Sequence, residues 1–94
     1  MPAGAPRYPG GTDAYAHLVR RHLVAVRAFV AMKLPVAHLA DAITSESFVF
    51  AFRNFDALRS TGSFRAWLRA IARNLVRKEL LRFTREQANL SRLE

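Results

Sequence analysis

The chain reads as an all-α protein, a compact bundle of three main helices. Two observations predict it. Apolar residues recur at three- and four-residue intervals in three separate stretches, with no convincing strand pattern between them. Pro35 and the connection Asp56–Gly62 fall between those stretches, where helices end.

The first helix starts near Thr12 or Asp13, either a good N-cap, and runs to about Lys33. Its buried stripe is Tyr15, Leu18, Val19, Val26, Phe29 and Val30. The second helix occupies roughly Ala37 to Phe55, with Leu39, Ile43, Phe48, Val49, Phe52 and Phe55 as core positions. Its Thr44-Ser-Glu-Ser47 run is weakly helical by propensity, which leaves a kink or a late start open. Ser63 caps the third helix, which carries an apolar stripe at Phe64, Trp67, Leu68, Ile71 and Leu75. It continues past Arg82 and is expected to fray after Thr84. The chain therefore divides into a flexible Pro/Gly tail over 1–11, a helical domain over 12–85 and a fraying segment over 86–94.

Composition bounds the chemistry. Ninety-four residues make one small domain, and 51% hydrophobic content sets it apart from disordered chains. There is no cysteine, which removes disulfides and thiolate metal sites and is compatible with a reducing cytosol. No export signal and no apolar run long enough for a membrane span is present, so a cytoplasmic location without membrane partners is expected. The net charge of +8 is unevenly spread. Residues 59–85 hold eight basic groups against Glu79 alone, while residues 34–58 hold Arg53 against Asp41, Glu46 and Asp56. A cationic surface beside a mildly acidic one points to two partners, one of them nucleic acid.

Catalysis and cofactors find no support. His17 and His22 are five apart and diverge by ~140° on a helix, so they do not chelate as a pair. Asp41 and Glu46 have the same spacing and do not form an acid–base dyad. Glycine at positions 4, 10, 11 and 62 excludes the usual phosphate-cradling loops. Binding is better supported. Arg65, Arg69, Arg73 and Arg77 recur at i,i+4 spacing, each offset by only ~40°, and are expected to share one side of the third helix. Lys78, Arg82 and Arg85 extend the charge, and Asn74 is suited to reading an adenine edge. The loop Arg59-Ser-Thr-Gly-Ser63 offers hydroxyls and amides beside a helix N-terminus, fit to hold a phosphate or an extruded base. Trp67 lies about 200° from Arg69, a position for core packing more than for base stacking.

Gly62-Ser-Phe-Arg-Ala-Trp-Leu followed by Ile71-Ala-Arg-Asn-Leu75 resembles the second conserved region of bacterial RNA polymerase sigma factors of the extracytoplasmic-function type. Glu46-Ser-Phe-Val-Phe-Ala-Phe-Arg-Asn-Phe55 is similar to that family's E-V-F-L-R-A-W-R-N-L helix. The resemblance covers about residues 13–85. It implies a domain that binds core RNA polymerase through the β′ clamp coiled coil and recognises the promoter −10 element, partly as a base flipped from the melted non-template strand. On that footing Asp41, Ile43, Glu46 and Ser47 belong to the polymerase face. Arg59, Ser60, Thr61 and Ser63 form the base-capture loop, Arg73, Asn74 and Arg77 face the upstream edge of the −10 element, and Arg65, Arg69 and Lys78 hold phosphates. An anti-sigma protein is a further implied partner.

Two departures stand out. The family's D-L-V-Q-E is Ala42-Ile-Thr-Ser-Glu46 here, a loss of two polar contacts that Asp41 replaces only in part. The tryptophan pair of housekeeping sigma factors falls on Ala70 and Ile71, in keeping with the extracytoplasmic type and with weaker melting. Such factors also carry a second helical domain that reads the −35 element, so the expectation is one domain of such a factor or a truncated product. A different class of function, a sigma-like module that binds a regulator or itself through the second helix, follows from the same departures.

Overall fold

The computed structural model describes residues 11–55, 58 and 63–93. Three helices, α1 (Gly11–Ala31), α2 (Ala37–Arg53) and α3 (Phe64–Arg92), account for nearly all of them, and each packs on both others. Among the described residues there is no strand, and no helix is long and apolar enough to cross a membrane.

α1 places the whole predicted stripe inward: Tyr15, Val26 and Val30 are buried, with Leu18, Val19 and Phe29 packed against them. Its end is closed by the Met32 and Lys33 amides, which donate to the Ala28 and Val30 carbonyls. Helix then stops because Leu34 precedes a proline, a position that disfavours α geometry. Leu34 itself is buried and plugs the turn. Val36 follows in extended conformation, with no side-chain cap, and α2 begins.

α2 is continuous through the polar run where the sequence left a kink open. Its buried hydroxyls find their partners within the helix. Thr44 Oγ1 donates to the Ala40 carbonyl at 2.6 Å and Ser47 Oγ to the Ile43 carbonyl at 2.7 Å. Each hydroxyl is thus satisfied by its own helix, and burying it costs little. Among the described residues no buried side-chain nitrogen or oxygen lacks a partner. The inner face of α2 is Ala40, Ile43, Thr44, Ser47, Phe48 and Ala51. Val49, expected in the core, is instead 48% exposed. It stands two residues from both Ser47 and Ala51, ~200° round the helix from each, and so faces away from them.

α3 runs without a break to Arg92, eight residues past the point where fraying is expected. Arg82 Nε reaches Glu79 Oε2 at 3.5 Å and Glu86 Oε1 at 3.6 Å, and Thr84 Oγ1 donates to the Leu80 carbonyl. Such i,i+3 and i,i+4 pairs each favour helix by a few tenths of a kcal/mol, roughly. Leu68, Ile71, Ala72 and Val76 carry α3 into the core.

Candidate nucleic-acid interface

The start of α3 is fixed in two ways. Ser63 Oγ accepts from the Ala66 amide at 3.1 Å, a cap of the predicted kind. Behind it stands an aromatic cluster. Phe64 lies 6.1 Å from both Tyr15 and Trp67 and 6.2 Å from Phe55, ring centre to ring centre. Tyr15 packs on Phe52 at 5.0 Å, and its hydroxyl donates to the Phe48 carbonyl at 2.6 Å. Trp67 meets Phe55 edge-on and is half-buried in this cluster. Residues of all three helices therefore hold the α3 N-terminus, from which the basic side chains project.

Arg65, Arg69, Arg73, Asn74, Arg77 and Lys78 are all exposed, and none of the five cations forms an ion pair among the described residues. They do not occupy one face. The ~40° offset accumulates to ~120° between Arg65 and Arg77, so the row winds across the helix. Arg65 and Arg69 border a shallow notch against α1, with His22, Ala25, Val26 and Phe29. Asn74, Arg77 and Lys78 border a larger groove against α2, with Phe50, Ile71 and Leu75. Arg73 stands exposed on α3. Neither recess is lined by an acidic residue, so both suit an anion.

On the notch side, the Arg69 guanidinium lies 5.4 Å from the Phe29 ring centre and Lys33 Nζ lies 5.2 Å from it. His22 packs 5.6 Å from Phe64. Burial holds its imidazole below the usual value, and the charges of Arg21 and Arg65 push the same way. The sequence places Phe29 in the buried stripe of the first helix and gives His22 no partner in a chelating pair. Their place in this notch depends on how α1 crosses α3, which periodicity does not encode.

The predicted polymerase face is divided. Asp41 and Glu46 are exposed on α2, but Ile43 is 5% and Ser47 0% exposed. Ile43 and Ser47 sit one turn apart on the inner face of α2, so they belong to the core and are corrected out of any docking surface. Asp41 accepts from Arg27 Nε at 2.6 Å across the α1–α2 junction. That hydrogen bond, with the guanidinium charge, lowers the Asp41 carboxyl and raises Arg27. Arg59, Ser60 and Thr61 lie outside the described residues. Among the described residues no three His, Asp or Glu side chains come together as a metal site.

Comparison with known families gives a match between residues 18–86 and the family model described as Sigma-70 region 2. That span holds α2 whole and most of α1 and α3, including every cation of both recesses. Comparison with curated proteins and with solved structures gives no match.

Proposed function

The chain belongs to the Sigma-70 region 2 family, whose domains bind RNA polymerase and recognise promoters, and from that premise we propose a finer role for it. It is the −10-reading domain of a sigma factor of the extracytoplasmic-function type, acting on cytoplasmic polymerase and helping to open the promoter. The observation that carries this reading is the row of exposed cations on α3 without carboxylate partners among the described residues, whose mutual repulsion a polyanion would relieve. Ala70 and Ile71, in place of a tryptophan pair, favour the extracytoplasmic type.

Phosphates are held by Arg65, Arg69 and Lys78, which sets register, while Arg73, Asn74 and Arg77 read the upstream edge of the −10 element. The loop Arg59-Ser-Thr-Gly-Ser63 receives a flipped base. Asp41 and Glu46 form the polymerase side, with Arg27 holding the Asp41 carboxylate in place. An anti-sigma protein would compete for this acidic side.

Promoter opening by core polymerase supplemented with the chain tests the assignment. Arg73→Ala and Arg77→Ala should each weaken opening while polymerase binding stays intact. Equal loss of both activities would contradict the division of faces.

A further inference from the structure

Phe50 is an aromatic residue that the fold leaves largely in solvent, 47% exposed on α2. Its ring borders the open groove of about 300 Å³ between α2 and α3, whose apolar lining is Phe50, Ile71 and Leu75 and whose polar lining is Asn74, Arg77 and Lys78. The backbone under it is pinned, because the Asn54 amide and the Asn54 side-chain Nδ2 both donate to the Phe50 carbonyl, at 3.0 and 2.9 Å. In the helix that α2 resembles, an arginine stands at this place. An apolar ring here is a property of this chain.

We infer that this groove is a stacking platform for one unpaired base of a DNA strand, with Phe50 supplying the flat surface and Lys78 the adjoining phosphate contact. The inference rests on the reading of α3 as the DNA face and adds α2 to it. Charge decides the occupant. Every ionisable group lining the groove is cationic, and both of them, Arg77 and Lys78, belong to the basic row of α3. Glu46 lies one turn back from Phe50 on α2 and is exposed. It disfavours phosphate on that side, which orients the strand with its backbone over α3 and the base turned onto Phe50. Stacking on an aromatic face is sequence-tolerant, so the platform adds affinity for opened over paired DNA and leaves base selection to Asn74 and Arg77.

The whole chain is titrated by fluorescence anisotropy into a labelled mixed-sequence single strand of about 12 nucleotides, and into its duplex, at fixed salt. Phe50→Ala and Phe50→Leu should each weaken single-strand binding roughly tenfold and leave duplex binding and the salt slope unchanged. Phe50→Trp should retain binding, with its added emission quenched at saturation relative to the wild type, whose one tryptophan is Trp67. Unchanged single-strand binding by Phe50→Ala, alongside weakening by Arg77→Ala, would overturn the platform and leave α3 as the DNA face. Full binding by Phe50→Leu would also overturn it, since bulk would then suffice. Loss of polymerase binding by Phe50→Ala, with DNA binding intact, would assign the groove to a protein instead. Absence of any DNA binding by the folded wild-type chain would overturn the functional reading together with the platform.

Discussion

The guanidinium carbon of Arg69 lies 5.4 Å from the centre of the Phe29 ring, so one cation of the α3 row is already held by an aromatic face of α1. A contact of this kind at an exposed site contributes about 0.5–1 kcal/mol. Arg69 therefore serves the fold as well as any ligand, and Arg73 does not. Arg69→Ala should lower the unfolding free energy by about 0.5–1 kcal/mol in urea titrations. Arg73→Ala should change it by less than about 0.5 kcal/mol. Equal effects would show that the ring contact contributes nothing.

The unpaired cations set the salt response. For duplex DNA the logarithm of affinity falls with the logarithm of salt by about 0.9 for each phosphate neutralised. Arg65→Ala or Lys78→Ala should each reduce that slope by about 1, measured over a salt series with duplex DNA carrying a −10 element. A flat response in the wild type would remove the phosphate account altogether.

His22 gives the fold a pH dependence with a definite sign. Its imidazole is held below the ordinary value by burial first, and by Arg21 and Arg65 second, so folding favours the neutral ring. The associated stability is full above the unfolded value of about 6.5 and is lost as pH falls through the lowered folded value. Thermal midpoints measured from pH 7.5 downward should fall below about pH 6.5 in the wild type and fall less in His22→Gln. Parallel curves for the two proteins would contradict the assignment.

Core and cap make separable contributions. Leu68 is fully buried, and Leu68→Ala should cost about 2–5 kcal/mol. Tyr15→Phe, which removes the buried hydrogen bond to the Phe48 carbonyl, should cost about 0.5–1.5 kcal/mol. Ser63→Ala should cost about 1 kcal/mol and act through the α3 N-terminus. A Tyr15→Phe variant as stable as the wild type would mean that water serves the hydroxyl equally well.

Much of the bundle is legible in the sequence, because the stripe of α1, the proline break and the Ser63 cap are local signals that packing did not override. What periodicity missed has physical causes. Val49 was read as core from its apolar character, yet it is on the opposite side of α2 from Ser47 and Ala51, small residues that carry little hydropathy signal and are fully buried. Along the C-terminal reach of α3, Arg82 pairs with Glu79 and Glu86, side-chain pairings that favour helix and that single-residue propensity does not count. For the candidate site, the cations and Asn74 are readable from spacing. Their separation into two recesses, with Phe29 and His22 in one and Phe50 in the other, depends on helix crossings. Ile43 and Ser47 show the converse error, since a matching motif position says nothing of whether the side chain is inside.

The central claim, that this is a sigma factor domain, is tested most directly by titrating the chain into core RNA polymerase and following complex formation, with Glu46→Lys in parallel and helix content checked by circular dichroism. The account predicts saturable binding that Glu46→Lys abolishes without loss of helix. A folded chain that does not bind core polymerase, or a Glu46→Lys variant that binds as tightly as the wild type, would contradict it.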